Sequence, residues 1–403
     1  MKKELHLYFL NHDNYLGRLF YETIMGKEIY SFEYDDSFLK GEYKNIIIDP
    51  ELPLYKGRMY PNNKVIFGFI SDLLPDRWGR RLIDRKEEFL AKKEKRPINK
   101  LYEIDYLLSV SDISRMGAIR IAKTKDGTFI DNSDKSIPPW IFLNKLEQSS
   151  LKIEDDEYDE EILNTILSPG SSLGGARPKA NVYDNKNQLW IAKFPSKKDE
   201  YDVGAWEMVI HDLMQLCEIN TSEAMLENFS KYGSTYLTKR FDREGKNRIH
   251  YASMMTLLSA SDNEDNHSYL EMAEVIKSLS GNPKNDLKEL YRRMVFNYLI
   301  NNTDDHLRNH GMILVNKNWV LAPAFDVNTS IYGDIHALKY GDNIDQSLNG
   351  ILSIAKYFNI DKEDSSSIVK NMKETILSQY EKLCGKYHVS RKETEMMSKS
   401  FKI

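Results

Sequence analysis

Residues 301–309 read NNTDDHLRN, and they contain the most informative spacing in the chain because Asp304 and Asn309 stand five positions apart. The residues before them carry the wide apolar stripe of a core-facing helix. Residues 311–322 have the pattern of a β-hairpin, and Asp326 lies just past it. This order of helix, polar loop, hairpin and acidic residue predicts a site to which separate segments bring oxygen-bearing side chains.

The spacing is typical of phosphoryl transfer. In protein kinases, a D-x-x-x-x-N loop places a catalytic Asp on the attacking hydroxyl and an Asn on Mg²⁺, and a second Asp holds the metals that bridge the phosphates. A hard cation prefers carboxylate and amide oxygens, which Asn309 and Asp326 supply. Asp304 then stays off the metal and accepts a hydrogen bond from the acceptor hydroxyl. Burying so polar a stretch is costly, which favours a functional interpretation.

A glycine-rich stretch at residues 168–179 reads SPGSSLGGARPK. Glycines let backbone N–H groups approach an anion, and Lys179 adds a donor, so the stretch suits a phosphate cradle. Its spacing is neither that of a Walker A motif nor that of a Rossmann motif. Taken alone, a hinge or a tight turn explains it equally well.

Lys193 lies within a strand-like apolar run, where a lysine is commonly an edge or snorkelling residue. The next segment has the apolar stripe of a helix from Val203 to Cys217, and Glu207 lies beside that stripe. An acid there can reach a lysine on the sheet beneath, as the strand lysine and helix glutamate do in protein kinases. Glu207 is therefore the candidate to orient Lys193.

Composition limits the classes of function. The 403 residues carry 56 Lys and Arg against 61 Asp and Glu, so the net charge of −5 gives no overall positive field for nucleic acid. No apolar run reaches the roughly 18 residues of a spanning helix, and we expect a cytoplasmic protein without membrane contact. Cys217 and Cys384 are too few for a disulfide framework or a cysteine metal site.

The order of patterns along the chain predicts an α+β protein. Short β-like runs, such as residues 44–48, alternate with turn signals early, and helical periodicity dominates from Asp202 onward. At roughly 150 residues per domain, the length predicts two to three domains.

A competing hypothesis is a zinc hydrolase site built from Asp304, Asp305, His306 and His310. The two histidines are four apart, but Gly311 and the hairpin argue against the continuous helix that would place them on one face. No later cysteine or third histidine cluster completes such a site.

Together these segments resemble the HipA family of bacterial serine/threonine kinases, the toxins of toxin–antitoxin modules. The resemblance covers nearly the whole chain and lies in residues 31–34 (SFEY), 72–76 (DLLPD), 170–179, 239–243 (KRFDR) and 303–309 (TDDHLRN). It implies a bilobal, protein-kinase-like α+β fold with an N-terminal α/β subdomain and an all-helical C-terminal lobe. The expected domains are a HipA-like N-terminal subdomain (1–105), a β-rich ATP-binding lobe with the Gly-rich loop (106–240) and a helical catalytic lobe (241–403).

The resemblance also implies roles for single residues. Asp304 would be the catalytic base, Asn309 and Asp326 would hold Mg²⁺, and Lys193 would hold the ATP phosphates with Glu207 orienting it. The other expected ATP contacts lie in the Gly-rich loop, the hinge (through its backbone), the catalytic loop and the metal-binding segment: Gly174, Gly175, Ala176, Arg177, Pro178, Lys179, Lys239, Arg240, Phe241, His306 and Phe325.

Ser172, or its neighbour Ser171, matches the serine that family members phosphorylate on themselves. A phosphate there would add about −1.5 to −2 charges where the phosphates of ATP must sit, and would thereby shut the enzyme off. Residues 324–328 contain no Asp-Phe-Gly, so the in/out switching of ordinary protein kinases is not expected.

The family also implies partners and cofactors. Family toxins use ATP and Mg²⁺, phosphorylate aminoacyl-tRNA synthetases, notably the glutamyl enzyme, and are restrained by a small HipB-like helix-turn-helix antitoxin that binds operator DNA. We therefore expect a protein acceptor, such a synthetase being one candidate, and DNA contact only through the antitoxin. Two alternatives stay open at this point: a catalytically idle pseudokinase that binds or regulates, and a kinase with a lipid or small-molecule acceptor.

Overall fold

The computed structural model describes residues 3–131, 137–170, 175–261 and 266–403. Within these ranges it contains 13 α-helices and several antiparallel sheets, which confirms the predicted α+β class. The chain forms two compact units, the first of residues 1–198 and 237–252 and the second of residues 199–236 and 253–403. None of the described helices is long and apolar enough to span a bilayer.

The elements follow one another along the chain. The strands are β1 (Lys3–Phe9), β2 (Tyr15–Ile24), β3 (Lys27–Tyr34), β4 (Ile119–Ala122), β5 (Lys179–Tyr183), β6 (Leu189–Lys193), β7 (Ala224–Ser230), β8 (Gly233–Lys239), β9 (Arg243–Glu244), β10 (Asn247–Arg248), β11 (Tyr251–Ser253), β12 (Gly311–Val315) and β13 (Asn318–Leu321). The helices are α1 (Asp36–Lys40), α2 (Gly68–Ser71), α3 (Arg77–Glu94), α4 (Glu103–Ser109), α5 (Leu143–Glu154), α6 (Glu160–Gly170), α7 (Val203–Leu216), α8 (Met254–Leu257), α9 (Tyr269–Leu279), α10 (Pro283–Leu299), α11 (Leu348–Ile354), α12 (Lys362–Lys386) and α13 (Arg391–Ser400).

The first unit contains an antiparallel sheet in the order β3-β2-β1-β4. At Gly17, the backbone has a φ of +151°, and a Cβ would lie 2.1 Å from the carbonyl oxygen of Glu33 on the neighbouring strand. Only glycine fits this close approach. The β5–β6 pair, also antiparallel, carries the predicted lysine strand.

A buried ion cluster joins the end of β8 to the loop before β4. The Asp242 carboxylate, with the residue 0% exposed, accepts bonds from Arg240 Nη2 at 2.7 Å, Arg243 Nη1 at 2.6 Å and the Gly117 N–H at 2.8 Å. Burial by itself raises the pKa of Asp242, but the two guanidinium groups outweigh it and hold that pKa well below its usual range.

The predicted β-like run at residues 44–48 is wrong, because this segment forms turns without a ladder. Ile46 and Ile48 are buried, which satisfies their apolar pattern without a partner strand. Asp49 instead accepts the backbone N–H groups of Glu51 and Phe69, both at 2.9 Å, and so fixes a turn where the sequence alternation suggested a strand.

The second unit confirms the helix–loop–hairpin order around the catalytic-loop candidate. Helix α10 buries the apolar stripe from Leu287 to Leu299. The hairpin β12–β13 closes between Val315 and Asn318, which pair directly, and its two turn residues have positive φ, 50° at Asn316 and 62° at Lys317. Two positive φ values are the signature of the tight turn that matches strand twist.

We expect Asp242→Asn to destabilise the first unit by about 3–5 kcal/mol, because the substitution leaves two buried guanidinium groups without their carboxylate. The folded-state pKa of Asp242 is depressed, so its contribution is present above the unfolded pKa and is lost as the pH falls through the folded pKa. The difference in unfolding free energy between wild type and variant should therefore shrink as the pH falls below about 4.

Urea unfolding followed at several pH values measures this difference. Asp36→Asn serves as the control, since its ion pair with Lys56 at 3.1 Å is exposed and should contribute about 1 kcal/mol or less. Equal losses in the two variants would show that the buried cluster does not stabilise the unit.

Candidate active site

The loop after α10 is fixed at its first residues. Asn301 has a φ of 54°, a left-handed conformation that asparagine tolerates better than most residues, and this turns the chain out of the helix. Its side-chain amide donates to the carbonyl oxygens of Ser330 at 3.0 Å and Gly333 at 3.1 Å. The loop that carries Asp304 therefore starts from an anchored position.

The adjacent aspartates Asp304 and Asp305 lie in opposite environments. The Asp304 side chain is 87% exposed, with His306 Nε2 3.9 Å from its carboxylate. Asp305 is buried and accepts bonds from the Tyr269 hydroxyl and, at 2.7 Å, from His310 Nε2. Burial raises the pKa of Asp305, but His310 and Tyr269 outweigh it and keep that pKa below its usual value. Asp305 thus anchors the loop as a carboxylate, and Asp304 faces outward.

The anchor of Asp305 continues into a chain of buried polar groups. The Tyr269 hydroxyl accepts a bond from Asn297 at 3.1 Å, and Asn302 donates to Asn297 Oδ1 at 3.2 Å. Burial, followed by the charge of Asp305, raises the pKa of Tyr269 far above its usual value, so the phenol stays a donor. Sequence reasoning missed Tyr269 and Asn297 and placed Asp305 only in the zinc hypothesis. The polar Asn297 on the core-facing side of α10 was the available signal.

Asn309 and Asp326 fit a magnesium ion by their chemistry. The Asn309 amide nitrogen donates to the Asp304 carbonyl oxygen at 3.1 Å, which turns its own carbonyl oxygen the other way. Both residues line a cavity of about 10 Å³, room for about one water molecule. Asp326 has a φ of 57°, a left-handed conformation that aspartate tolerates better than most residues. One amide oxygen and one carboxylate match a site that Mg²⁺ shares with phosphate and water oxygens.

The zinc hypothesis receives no support from the described part of the chain. No group of three or more His, Cys, Asp and Glu side chains there could hold a metal ion. His310 Nε2 is bonded to Asp305, and a short 3-10 turn at Leu307–Asn309 separates it from His306. The two histidines therefore do not share a helical face.

The two lysines of the first unit lie directly opposite each other. Lys179 on β5 pairs with Lys193 on β6, so both side chains leave the same face of the antiparallel pair. Lys179 is buried and Lys193 half-buried. Glu207 is buried on α7 in the second unit, and its predicted role in orienting Lys193 stays a prediction.

The end of the Gly-rich stretch is held by the segment before α3. The Gly175 N–H donates to the Asp76 carboxylate at 2.7 Å, and its carbonyl oxygen accepts from the Trp78 N–H at 3.0 Å. Gly175 has a φ of +79°, and a Cβ there would lie 2.6 Å from Lys179 Nζ. The positive φ favours glycine at this position, and the Gly175 N–H is already bonded to a carboxylate.

The next residues of the stretch differ in exposure. Ala176 is exposed, Arg177 donates to the Phe194 carbonyl oxygen at 3.3 Å, and Pro178 is buried. Ser171, Ser172 and Gly174 lie outside the described residues. The predicted phosphate contacts of this stretch stay predictions.

The hinge candidates Lys239, Arg240 and Phe241 differ in burial and in their hydrogen bonds. Lys239 and Phe241 are half-buried. The Arg240 N–H donates to the Leu189 carbonyl oxygen at 2.9 Å, and its buried guanidinium belongs to the ion cluster of Asp242. A role of Arg240 in adenine binding would therefore fall to its carbonyl oxygen. His306 and Phe325, the other expected nucleotide contacts, are also half-buried.

The sequence and the fold are similar to those of known proteins. The HipA N-terminal domain matches residues 9–105, and the HipA-like C-terminal domain matches residues 171–380. A chain of the Shewanella oneidensis MR-1 toxin–antitoxin complex of HipA, HipB and operator DNA is similar in fold, with a TM-score of 0.68 and 16% identity. The match covers 98% of this chain and 94% of that chain.

Two further proteins are more partial matches. A curated Haemophilus influenzae protein named "Putative kinase" is 26% identical over 189 residues, 41% of this chain and 55% of that protein. The chain thus spans about half the length of this curated relative. The Helicobacter pylori proinflammatory kinase CtkA aligns at a TM-score of 0.36 and 17% identity, covering 55% of this chain and 95% of that chain, too low to support a conclusion.

The two domain matches follow each other in the order expected from the sequence. The C-terminal match alone covers more than half of the chain, and it includes Lys193 and the whole loop from Asn301 to Asn309. The chain therefore belongs to the HipA family.

Proposed function

We propose that the chain is a serine/threonine protein kinase that transfers the γ-phosphate of Mg·ATP to a protein acceptor, as a HipA-like toxin of a type II toxin–antitoxin system. The observation that carries the proposal is the pair of adjacent aspartates, one buried and bonded, the other facing outward. The buried hydrogen bonds of Asp305 fix this loop while Asp304 stays exposed, and a fixed, exposed carboxylate is suited to act as a base toward an incoming hydroxyl. The domain bounds expected above, 1–105, 106–240 and 241–403, belong to this proposal.

Each polar residue then has a defined task. Asp304 accepts the proton of the acceptor hydroxyl, and the Asn309 amide and the Asp326 carboxylate hold the metal ion. Mg²⁺, when bound, neutralises charge that develops on the phosphates. Lys193, with Lys179 opposite, binds the phosphate chain, since two ammonium groups on one face match a polyanion. Glu207 orients Lys193, and the backbone of Lys239 to Phe241 meets the adenine.

The proposed partners follow from family membership. The similar Shewanella structure contains HipB and operator DNA, which supports a HipB-like antitoxin as the partner of this chain. The net charge of −5 favours DNA contact through that antitoxin rather than through this chain. The acceptor we propose is a protein Ser or Thr, with an aminoacyl-tRNA synthetase as the first candidate to test, in the cytoplasm.

Substitutions of the proposed base Asp304 and of the proposed metal ligand Asp326 should affect different kinetic steps. We expect Asp304→Asn to lower phosphoryl transfer about 10²–10⁴-fold while leaving nucleotide affinity nearly unchanged, because the base acts on the acceptor. Asp326→Ala should weaken Mg·ATP binding about tenfold or more, equivalent to about 1.4 kcal/mol. Titration calorimetry with Mg·ATP and a radiolabel transfer assay measure the two effects.

Asp342→Asn is the matched control, since Asp342 is an exposed aspartate of the same unit. Wild-type transfer rates in Asp304→Asn would refute the role of the base. Unchanged Mg·ATP affinity in Asp326→Ala would refute the metal assignment.

Autophosphorylation separates the kinase from a pseudokinase. Purified, dephosphorylated protein incubated with labelled ATP and Mg²⁺ should take up phosphate on Ser172 or Ser171, and phosphopeptide mapping identifies which. Replacing the modified serine by alanine should remove the label, and the Asp304→Asn variant should not acquire it. Protein that binds ATP but acquires no label and labels no acceptor would favour the pseudokinase.

A further inference from the structure

Residues 330–337, here called the tip segment, are hydrogen-bonded at both ends to the loop that carries Asp304. The Ser330 N–H donates to the Asn301 carbonyl oxygen at 3.0 Å, and the hydroxyl oxygens of Thr303 and Ser330 lie 2.5 Å apart. At the other end, the Ala337 N–H donates to the Thr303 carbonyl oxygen at 3.2 Å. The tip segment is therefore fixed to the residue immediately before Asp304.

A second set of contacts holds the middle of the tip segment. Lys402 Nζ donates to the Asp334 carbonyl oxygen at 3.2 Å and lies 3.0 Å from His336 Nε2, and the Lys402 N–H donates to the Leu299 carbonyl oxygen at 2.8 Å. The Tyr332 hydroxyl donates to the Glu200 carboxylate. These bonds give the segment a defined conformation although it has no regular secondary structure.

The held segment presents apolar surface to solvent. Tyr332 is 71% exposed and Ile335 is 88% exposed. Between them, Gly333 has a φ of +82° with open space where a Cβ would lie, as expected of a turn that points away from the protein. One residue separates Tyr332 from the anchored Ser330, and one separates Ile335 from the anchored Ala337, so at most about 7 Å of chain joins each to a bonded residue. The apolar pair is thus joined by short stretches of chain to residues bonded to Thr303, which directly precedes Asp304.

We propose that the tip segment is a docking surface for the protein acceptor, on which an extended stretch of the acceptor places an apolar side chain against Ile335 and Tyr332 while its Ser or Thr hydroxyl reaches Asp304. This proposal rests on the proposed kinase function and names the kind of acceptor. Large amphipathic side chains such as Tyr332 are enriched at protein interfaces. The Glu200 carboxylate is bonded to Tyr332, Asp334 is an exposed residue of the tip segment, and exposed Asp304 directly follows Thr303, so a basic residue beside the apolar one complements this acidic charge.

A positional-scanning peptide library tests the surface. Its peptides carry a central serine, and one flanking position at a time is fixed as each amino acid in turn, with labelled Mg·ATP as donor. The wild-type chain should prefer Leu, Ile, Val, Met or Phe at one flanking position. Ile335→Ser and the double variant with Tyr332→Ser should lose at least about tenfold of that preference while their affinity for Mg·ATP stays unchanged. Ile141→Ser is the matched control, since Ile141 is 86% exposed in the first unit.

The outcomes separate this proposal from the kinase function. Apolar selectivity lost in the tip variants and kept in Ile141→Ser supports docking. Transfer without apolar selectivity, selectivity that survives both variants, or self-phosphorylation without transfer to any peptide would overturn docking and leave the kinase function standing. Absence of transfer both to peptides and to the chain itself would overturn the kinase function, and docking with it, because docking requires an acceptor.

Discussion

The buried carboxylate of Asp305 is the constraint on which the candidate site depends. A carboxylate inside a protein is costly unless donors surround it, and Tyr269 on α9 and His310, the residue before β12, supply them. The bonds therefore fix the loop against α9, which is distant in sequence, and against the chain five residues further on. Next to this anchor, the Asp304 side chain remains 87% exposed.

The same loop keeps the proposed base, Asp304, apart from the proposed metal ligands, Asn309 and Asp326. Asn309 faces the Asp304 carbonyl with its amide nitrogen, which leaves its oxygen for a cation, and it shares a cavity with Asp326. Asp304 itself is outside that cavity. The proposed base Asp304 and the proposed metal ligand Asn309 thus belong to one short segment but face different surroundings, an arrangement suited to phosphoryl transfer because that reaction depends more on positioning than on covalent chemistry.

Local pattern was sufficient to predict much of this architecture. The stripe of α10, the hairpin that follows and the strand of Lys193 all depend on periodicity and turn residues close in sequence. The anchors of Asp305 could not be predicted in this way, because Tyr269 lies 36 residues away along the chain. Arg240 also has partners that its own sequence does not indicate. The KRFDR sequence predicts a hinge, and the Arg240 guanidinium donates to Asn181 Oδ1 and to the Ser114 carbonyl oxygen. Such long-range partners leave no periodic signal.

The acceptor side of the site depends on the same few bonds as the base. Asn301 and Thr303 hold the tip segment, and both lie within the three residues before Asp304 in the loop that Asp305 anchors. Under the proposed function, a shift of this loop would therefore move the base and the docking surface together. The proposed nucleotide ligands Lys179 and Lys193 lie instead on paired strands of the first unit. Under that proposal, selectivity for the acceptor and affinity for the nucleotide would change independently, since different hydrogen bonds determine each of them.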